Sequence, residues 1–182
     1  MSLPGPPQPV KPVMSFLLAR QELASAVLAP LAEYFGPPDL VGPWGAFEAT
    51  SYYTPEMGPQ LGRLMVSFLH LAHPGSLADW KGFTNRVEHR FSLGGRRLVN
   101  LDPGYITPAR LVLATGKNYS HRIYLDQGIY GELTLHFSQG KFQHLPWTYP
   151  DYAQGELPEF LGQVREKYLW QLKAYNHICR KA

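Results

Sequence analysis

One cysteine in 182 residues, Cys179, is the first constraint. It leaves no second thiol for a disulfide within the chain and excludes a cysteine-based zinc site. A reducing, cytoplasmic setting is the expectation. Long apolar runs are missing as well. No stretch approaches the ~20 apolar residues of a membrane-spanning helix. The N-terminal MSLPGPPQPVKPVMSFLLAR has no basic start leading into a long apolar core, only MSFLLA between Pro12 and Arg20. Neither a secretion signal nor a membrane partner is expected. Charge is sparse too: 17% of residues are charged against 45% hydrophobic, which excludes a disordered chain and predicts a well-buried core.

What charge there is falls unevenly. Residues 1 to 57 hold two Lys/Arg and five Asp/Glu, whereas residues 81 to 122 hold eight Lys/Arg and two Asp/Glu. The eight are Lys81, Arg86, Arg90, Arg96, Arg97, Arg110, Lys117 and Arg122. Convergence in space would make them an anion-attracting face; scatter would make them solvated side chains.

Prolines at 4, 6, 7 and 9 make residues 1 to 9 an expected disordered tail, with a single domain over 10 to 182. VKPVMSFLLA and GRLMVSFLHLA are apolar at successive positions, the pattern of strands covered on both faces. Between them, Leu23, Val27, Leu28, Leu31 and Phe35 fall at helical spacing up to Gly36, with a kink or restart expected at Pro30. WGAFEAT adds a short strand. Ser76 and Asp79 resemble a capping box before a helix carrying Leu77, Trp80, Phe83, Val87 and Phe91, and RRLVNL is a strand after it. Strand, helix, strand, strand, helix, strand predicts an α+β fold with a ferredoxin-like βαββαβ core. HRIYLDQGIYGELTLHF adds a C-terminal β-hairpin turning at Asp126, Gln127 and Gly128, with Tyr124 opposite Tyr130 and Arg122 opposite Glu132. A long terminal helix from Leu157 to Cys179 closes the chain on Phe160, Leu161, Val164, Tyr168, Leu172 and Tyr175. Within it Cys179, beside Arg180 and Lys181, is read as incidental to chemistry.

The blocks NLDPGYITPARLVLATGKNYSHRIYL, GIYGELTLHFSQGKF and LPWTYPDY, with YYTPEMG and FTNRVE, resemble an uncharacterised bacterial family of single-domain proteins of about this length. The resemblance implies no particular activity, cofactor or catalytic residue. Some members carry the label GTP-binding protein, but a phosphate-binding P-loop needs G-x-x-x-x-G-K-[ST]. Here Leu111 stands where the first glycine belongs and Asn118 follows Lys117.

NLDPGYITP, residues 100 to 108, is where function is expected. Pro103 and Gly104 suit a type II turn, and Thr107 with Pro108 suits a helix start, against a strand through ARLVLAT. A helix there would present its first amides to an anion beside Tyr105, Thr107, Lys117 and Arg122. Tyr124 and Glu132 of the hairpin complete the expected ligand-binding set, and Asp102 and His121 are the candidates for proton transfer. In the plainer alternative Asp102 bonds local amides, Thr107 caps and Tyr105 packs into the core. No metal is expected: Glu132 and His136 are four strand residues apart, about 13 Å, and His121 is placed on the face opposite Glu132. The expected partner is an anionic small molecule of unspecified identity. The rival is an RNA or protein module using Tyr124, Tyr130, Trp147, Tyr149 and Tyr152 with Arg122 as a stacking face, and a homodimer is a further possibility.

Overall fold

A computed structural model describes residues 3–179, without the Cys179 side chain. Met1 and Ser2 of the expected tail, the Cys179 thiol and residues 180–182 lie outside the described residues. Leu3 to Gln8 are exposed and have no regular structure.

The first apolar run is β1 (Lys11–Leu18), in which all eight residues are buried. Helix α1 (Leu23–Phe35) passes through Pro30 without restarting and ends at Gly36, whose φ is 85°. Two short strands, β2 (Pro38–Val41) and β3 (Gly45–Phe47), precede α2 (Thr54–Met57) and β4 (Leu61–Phe68). Helix α3 (Leu77–Arg90) starts where the sequence placed it, but Ser76 makes no side-chain cap; His73 accepts from the Gly75 N–H instead. Gly94 and Gly95, both at positive φ, turn the small hairpin β5 (Ser92–Leu93) and β6 (Arg96–Arg97). Then come β7 (Val99–Ile106), β8 (Arg110–Thr115), β9 (Arg122–Asp126), β10 (Ile129–Ser138), β11 (Lys141–His144), α4 (Pro150–Ala153) and α5 (Leu157–Cys179).

The described chain is 34% helix and 35% strand, and its strands pair antiparallel, so the class is α+β. One sheet runs in the order β11-β10-β8-β7-β1-β4-β2, with β3 added on β4 and β9 on β10. Its two faces are covered separately. On one, α1 and α3 bury Val27, Leu31, Phe35, Trp80 and Val87 against Phe16, Val66 and Leu101. On the other, α5 buries Phe160, Leu161, Val164, Tyr168 and Leu172 against Val13, Met65, Ile106 and Leu111. Each such side chain, fully buried, stabilises the fold by about 1.5–3 kcal/mol. Tyr175, expected on that stripe, is exposed. Lys11, fully buried at the start of β1, pairs with Asp39 of β2; Asp39 also accepts from Ser67 and meets Lys167 of α5. The network ties the edge strand β2 and α5 to the centre of the sheet.

NLDPGYITP departs from its expected form. Pro103 and Gly104 make no turn; they lie within β7, and the segment after Pro108 is the strand β8 rather than a helix. Thr107 serves the connection between them, its hydroxyl accepting from the N–H groups of Ala109 and Arg110. The strand reading wins because Leu111, Leu113 and Ala114 are buried within the sheet, a context that outweighs the local start signal. In the hairpin, Tyr124 faces Tyr130 and Arg122 faces Glu132 as read, while a register shift pairs Ile129 with Asp126.

A candidate cleft where the sheet divides

Strands β7 and β8 pair only through Gly104–Leu113, Tyr105–Val112 and Ile106–Leu111. Continued in register, the ladder would bring Asp102 to Thr115 and Leu101 to Gly116, but Thr115 stays with Tyr130 of β10 instead. The cause is in the sequence. Leu101 directs its N–H and C=O away from β1, and by the two-residue repeat Pro103 turns its nitrogen the same way. Proline has no N–H to donate, so the ladder stops there. Gly104, just inside the paired part, permits the close approach: a Cβ on it would sit 2.4 Å from the Val112 carbonyl oxygen.

Helix α3 fills the vacated edge. The Leu101 N–H donates to Glu88 Oε1 at 2.9 Å, and its carbonyl accepts from Lys81 Nζ at 2.6 Å. Buried backbone groups are therefore satisfied by side chains where the strand partner is missing. Lys81 also meets Glu88 at 3.4 Å and Asp102 Oδ1 at 3.2 Å. Burial works against its charge, but the two carboxylates outweigh it and hold its pKa above the ordinary lysine value. Glu88 Oε2 takes Arg97 Nη1 at 2.7 Å, and Arg97 grips Glu56 with two further hydrogen bonds at 2.6 and 2.8 Å.

The gap opens into a cleft of about 340 Å³, within the usual range of small-molecule sites. From the β7 side it is lined by Asn100 and Asp102, with Lys81 and Arg97 behind them. Thr115, Lys117, Arg122 and Glu132 line the opposite side. Aromatic walls come from Phe47, Tyr52, Tyr53, Tyr149 and Tyr152. The Asp102 side chain is 30% exposed, its Oδ2 accepting from Asn100 at 2.8 Å. Lys117 Nζ sits 3.7 Å from the centre of the Tyr52 ring. Arg122 donates to Glu132 Oε2 at 2.7 Å and to the Lys117 carbonyl at 3.0 Å. On the floor, the Arg63 guanidinium lies against the Phe47 and Tyr152 rings with Nη2 2.8 Å from Asp151; its Nε and Nη1 are buried without a hydrogen-bond partner. Burial pushes the Tyr152 phenol up to about 12, and the Asp151 carboxyl upward too, against the pull of Arg63.

Of the sequence candidates, Asp102, Lys117, Arg122 and Glu132 come together on this cleft. His121 is not on the face opposite Glu132. It precedes β9, and its Nε2 lies 3.1 Å from Glu132 Oε2 while its ring stacks on Trp147 at 5.1 Å. Three candidates lie elsewhere. Tyr105 turns toward α3, where burial raises its phenol pKa; Thr107 closes the β7–β8 turn; Tyr124 is 56% exposed, edge-on to Tyr130. Of the aromatic stacking set, Tyr152 is buried and Trp147 donates to the Leu133 carbonyl. The sequence reading missed Arg63, Asn100, Tyr52 and Tyr53. It singled out Lys81 and Arg97 only as members of the basic cluster. A signal did exist for two of them. Arg63 interrupts an otherwise apolar central strand, and Lys81, Thr84 and Glu88 run along one helix face beside the apolar stripe, where solvated residues do not belong.

The molecule is thus an α+β protein with a charged, aromatic-walled cleft set in the division of its sheet. The chain belongs to the family described as a domain of unknown function, DUF4416, whose model matches residues 8–168. No curated protein and no solved structure matches it. No helix among the described residues is long and apolar enough to cross a membrane.

Proposed function

We propose that the β7–β8 cleft binds an anionic small molecule, a nucleotide or phosphorylated metabolite. The observation that carries this reading is Lys117, which no carboxylate pairs among the described residues, set beside Arg63, Lys81, Arg97 and Arg122 around one aromatic-walled cavity. Cations beside low-dielectric ring faces attract an anion more strongly than the same charges in open solvent. Any proton transfer there falls to Asp102, which is partly open to the cavity; His121 reaches it only through Glu132. Thermal shift with inorganic phosphate, a nucleotide panel that includes cyclic phosphodiesters, and heteroaromatic carboxylates tests the reading. Stabilisation that disappears in Lys117→Ala is expected, and no stabilisation by any of them would overturn it.

The strand order β7-β1-β4-β2, with α1 and α3 on one face, supports a ferredoxin-like core for this domain. The exposure of Ile123 and Tyr124 on the edge strand β9 favours a second reading, an RNA or protein interaction module. Salt-dependent binding of single-stranded RNA, weakened in Tyr124→Ala, would favour it over the cleft.

A further inference from the structure

The walls of the cleft restrict what kind of anion enters. Arg63 faces Asp151; Lys81 faces Glu88 and Asp102; Arg97 faces Glu56 and Glu88; Arg122 faces Glu132. Four of the five cations are already neutralised, and the acids that do this are themselves held. Glu88 takes three partners, Glu56 two bonds from Arg97, and Glu132 both Arg122 and His121. A polyphosphate entering here would lie beside Asp102 and Glu132, with only Lys117 and the two unpartnered N–H groups of Arg63 left to meet its several charges. Such unpaired charge in a half-buried site is strongly disfavoured. Lys117 differs: among the described residues it forms no ion pair, and only the Tyr52 ring holds it.

On the β7 lip the complementary feature is an acceptor. Asp102 gives one oxygen to Lys81 and the other to Asn100. A carboxylate has about four lone-pair sites, so accepting capacity remains on the exposed part. Between the two lips stand flat ring faces, of which Tyr52 is 60% and Tyr149 45% exposed.

Building on the anionic-ligand reading, we propose that the ligand is a planar heterocycle with N–H donors at one edge, bound by Asp102, and a single acidic group at the other end, bound by Lys117. The acid is a carboxylate or a phosphodiester, and the ring lies against a cleft tyrosine. One negative charge is what the one unneutralised cation can take, and a carboxylate pairing with ring N–H groups is a charge-assisted contact.

The test uses the full chain, labelled with 15N, titrated with pterin-6-carboxylate, with pterin, with guanosine triphosphate and with inorganic phosphate. Pterin-6-carboxylate is expected to shift cleft resonances and to bind about tenfold more tightly than pterin, and more tightly than the triphosphate. In Lys117→Gln the advantage over pterin should vanish; in Asp102→Asn both pterins should weaken. Lys117 takes part in none of the ion pairs, so its variant is expected to keep the wild-type melting temperature. Triphosphate or phosphate binding that exceeds pterin-6-carboxylate and is lost in Lys117→Gln would overturn this inference and leave the anionic-ligand reading intact. An advantage of the carboxylate retained in Lys117→Gln would overturn the assignment of the acid to that residue. Silence of the cleft toward all four compounds would overturn both.

Discussion

Glu88 Oε1 accepts the Leu101 backbone N–H at 2.9 Å, so a helix side chain occupies the place on β7 that a neighbouring strand would otherwise take. The same carboxylate holds Lys81 and Arg97. Glu88→Ala would leave the buried Leu101 N–H without an acceptor and remove one of the two carboxylates that hold the buried Lys81 ammonium, and is expected to cost about 3–5 kcal/mol. Glu88→Leu combined with Lys81→Met, which removes both charges, should cost less than the Lys81 and Glu88 single changes add up to. Urea denaturation of the two singles and the double closes the cycle; strict additivity would show that the pair does not act as a unit.

Gly104 is the second point of sensitivity. A methyl group there meets the Val112 carbonyl oxygen at 2.4 Å and the Leu113 side chain at 2.5 Å, inside the short ladder that still joins β7 to β8. Gly104→Ala is expected to lower stability by about 1–3 kcal/mol through overpacking. A melting temperature equal to wild type would mean that the strands separate there at no cost.

Acid should unfold the protein partly through Asp39. Burial alone would raise its pKa, but hydrogen bonds from Lys11, Ser67 and Lys167 outweigh it and hold the carboxyl below the ordinary 3.8. A depressed folded pKa means stability that is fully present above the ordinary value and is lost as pH falls through the depressed one. Burial pushes the partner Lys11 downward as well, which disfavours its charge, so Asp39 is the member that gains from the pairing. Asp39→Asn should therefore flatten the fall in stability below about pH 4. An unchanged acid limb in a pH series of urea midpoints would remove Asp39 from that role.

Tyr124 separates the two readings of function. It is 56% exposed and touches Tyr130 edge-on outside the cleft. Tyr124→Ser is expected to change stability by less than about 0.5 kcal/mol and to leave anion binding in the cleft unaltered. Loss of small-anion binding in this variant, measured by the same titration, would move the site onto the hairpin.

The strands and helices that bury most were also the most legible. β1 and β4 appear as largely apolar runs because both of their faces are covered, and α5 shows its stripe from Phe160 to Leu172 because one face alone packs. Asn100 and Leu101 were read correctly as strand and ARLVLAT was a strand only in the alternative, whereas the turn at Pro103 and Gly104 and the helix from Pro108 were misread. Pro-Gly and Thr-Pro are local turn and helix signals, while their setting depends on strands distant in sequence. Arg122 and Glu132 were found because β9 and β10 are a local hairpin, and Lys117 because it follows NLDPGYITP closely in the chain. Lys81 and Arg97 stood out only by charge, and Arg63 and Tyr52 not at all, because they reach the cleft from elements whose meeting only the sheet order decides.

The three residue pairs that join β7 to β8 lie at one end of the division, with the cavity at the other. Mechanically this makes a clothes-peg. A ligand thicker than the resting gap is admitted by pivoting β8 and β10 about Gly104, Tyr105 and Ile106, while Lys81 and Glu88, both on α3 and both bonded to Leu101, stay with the β7 jaw.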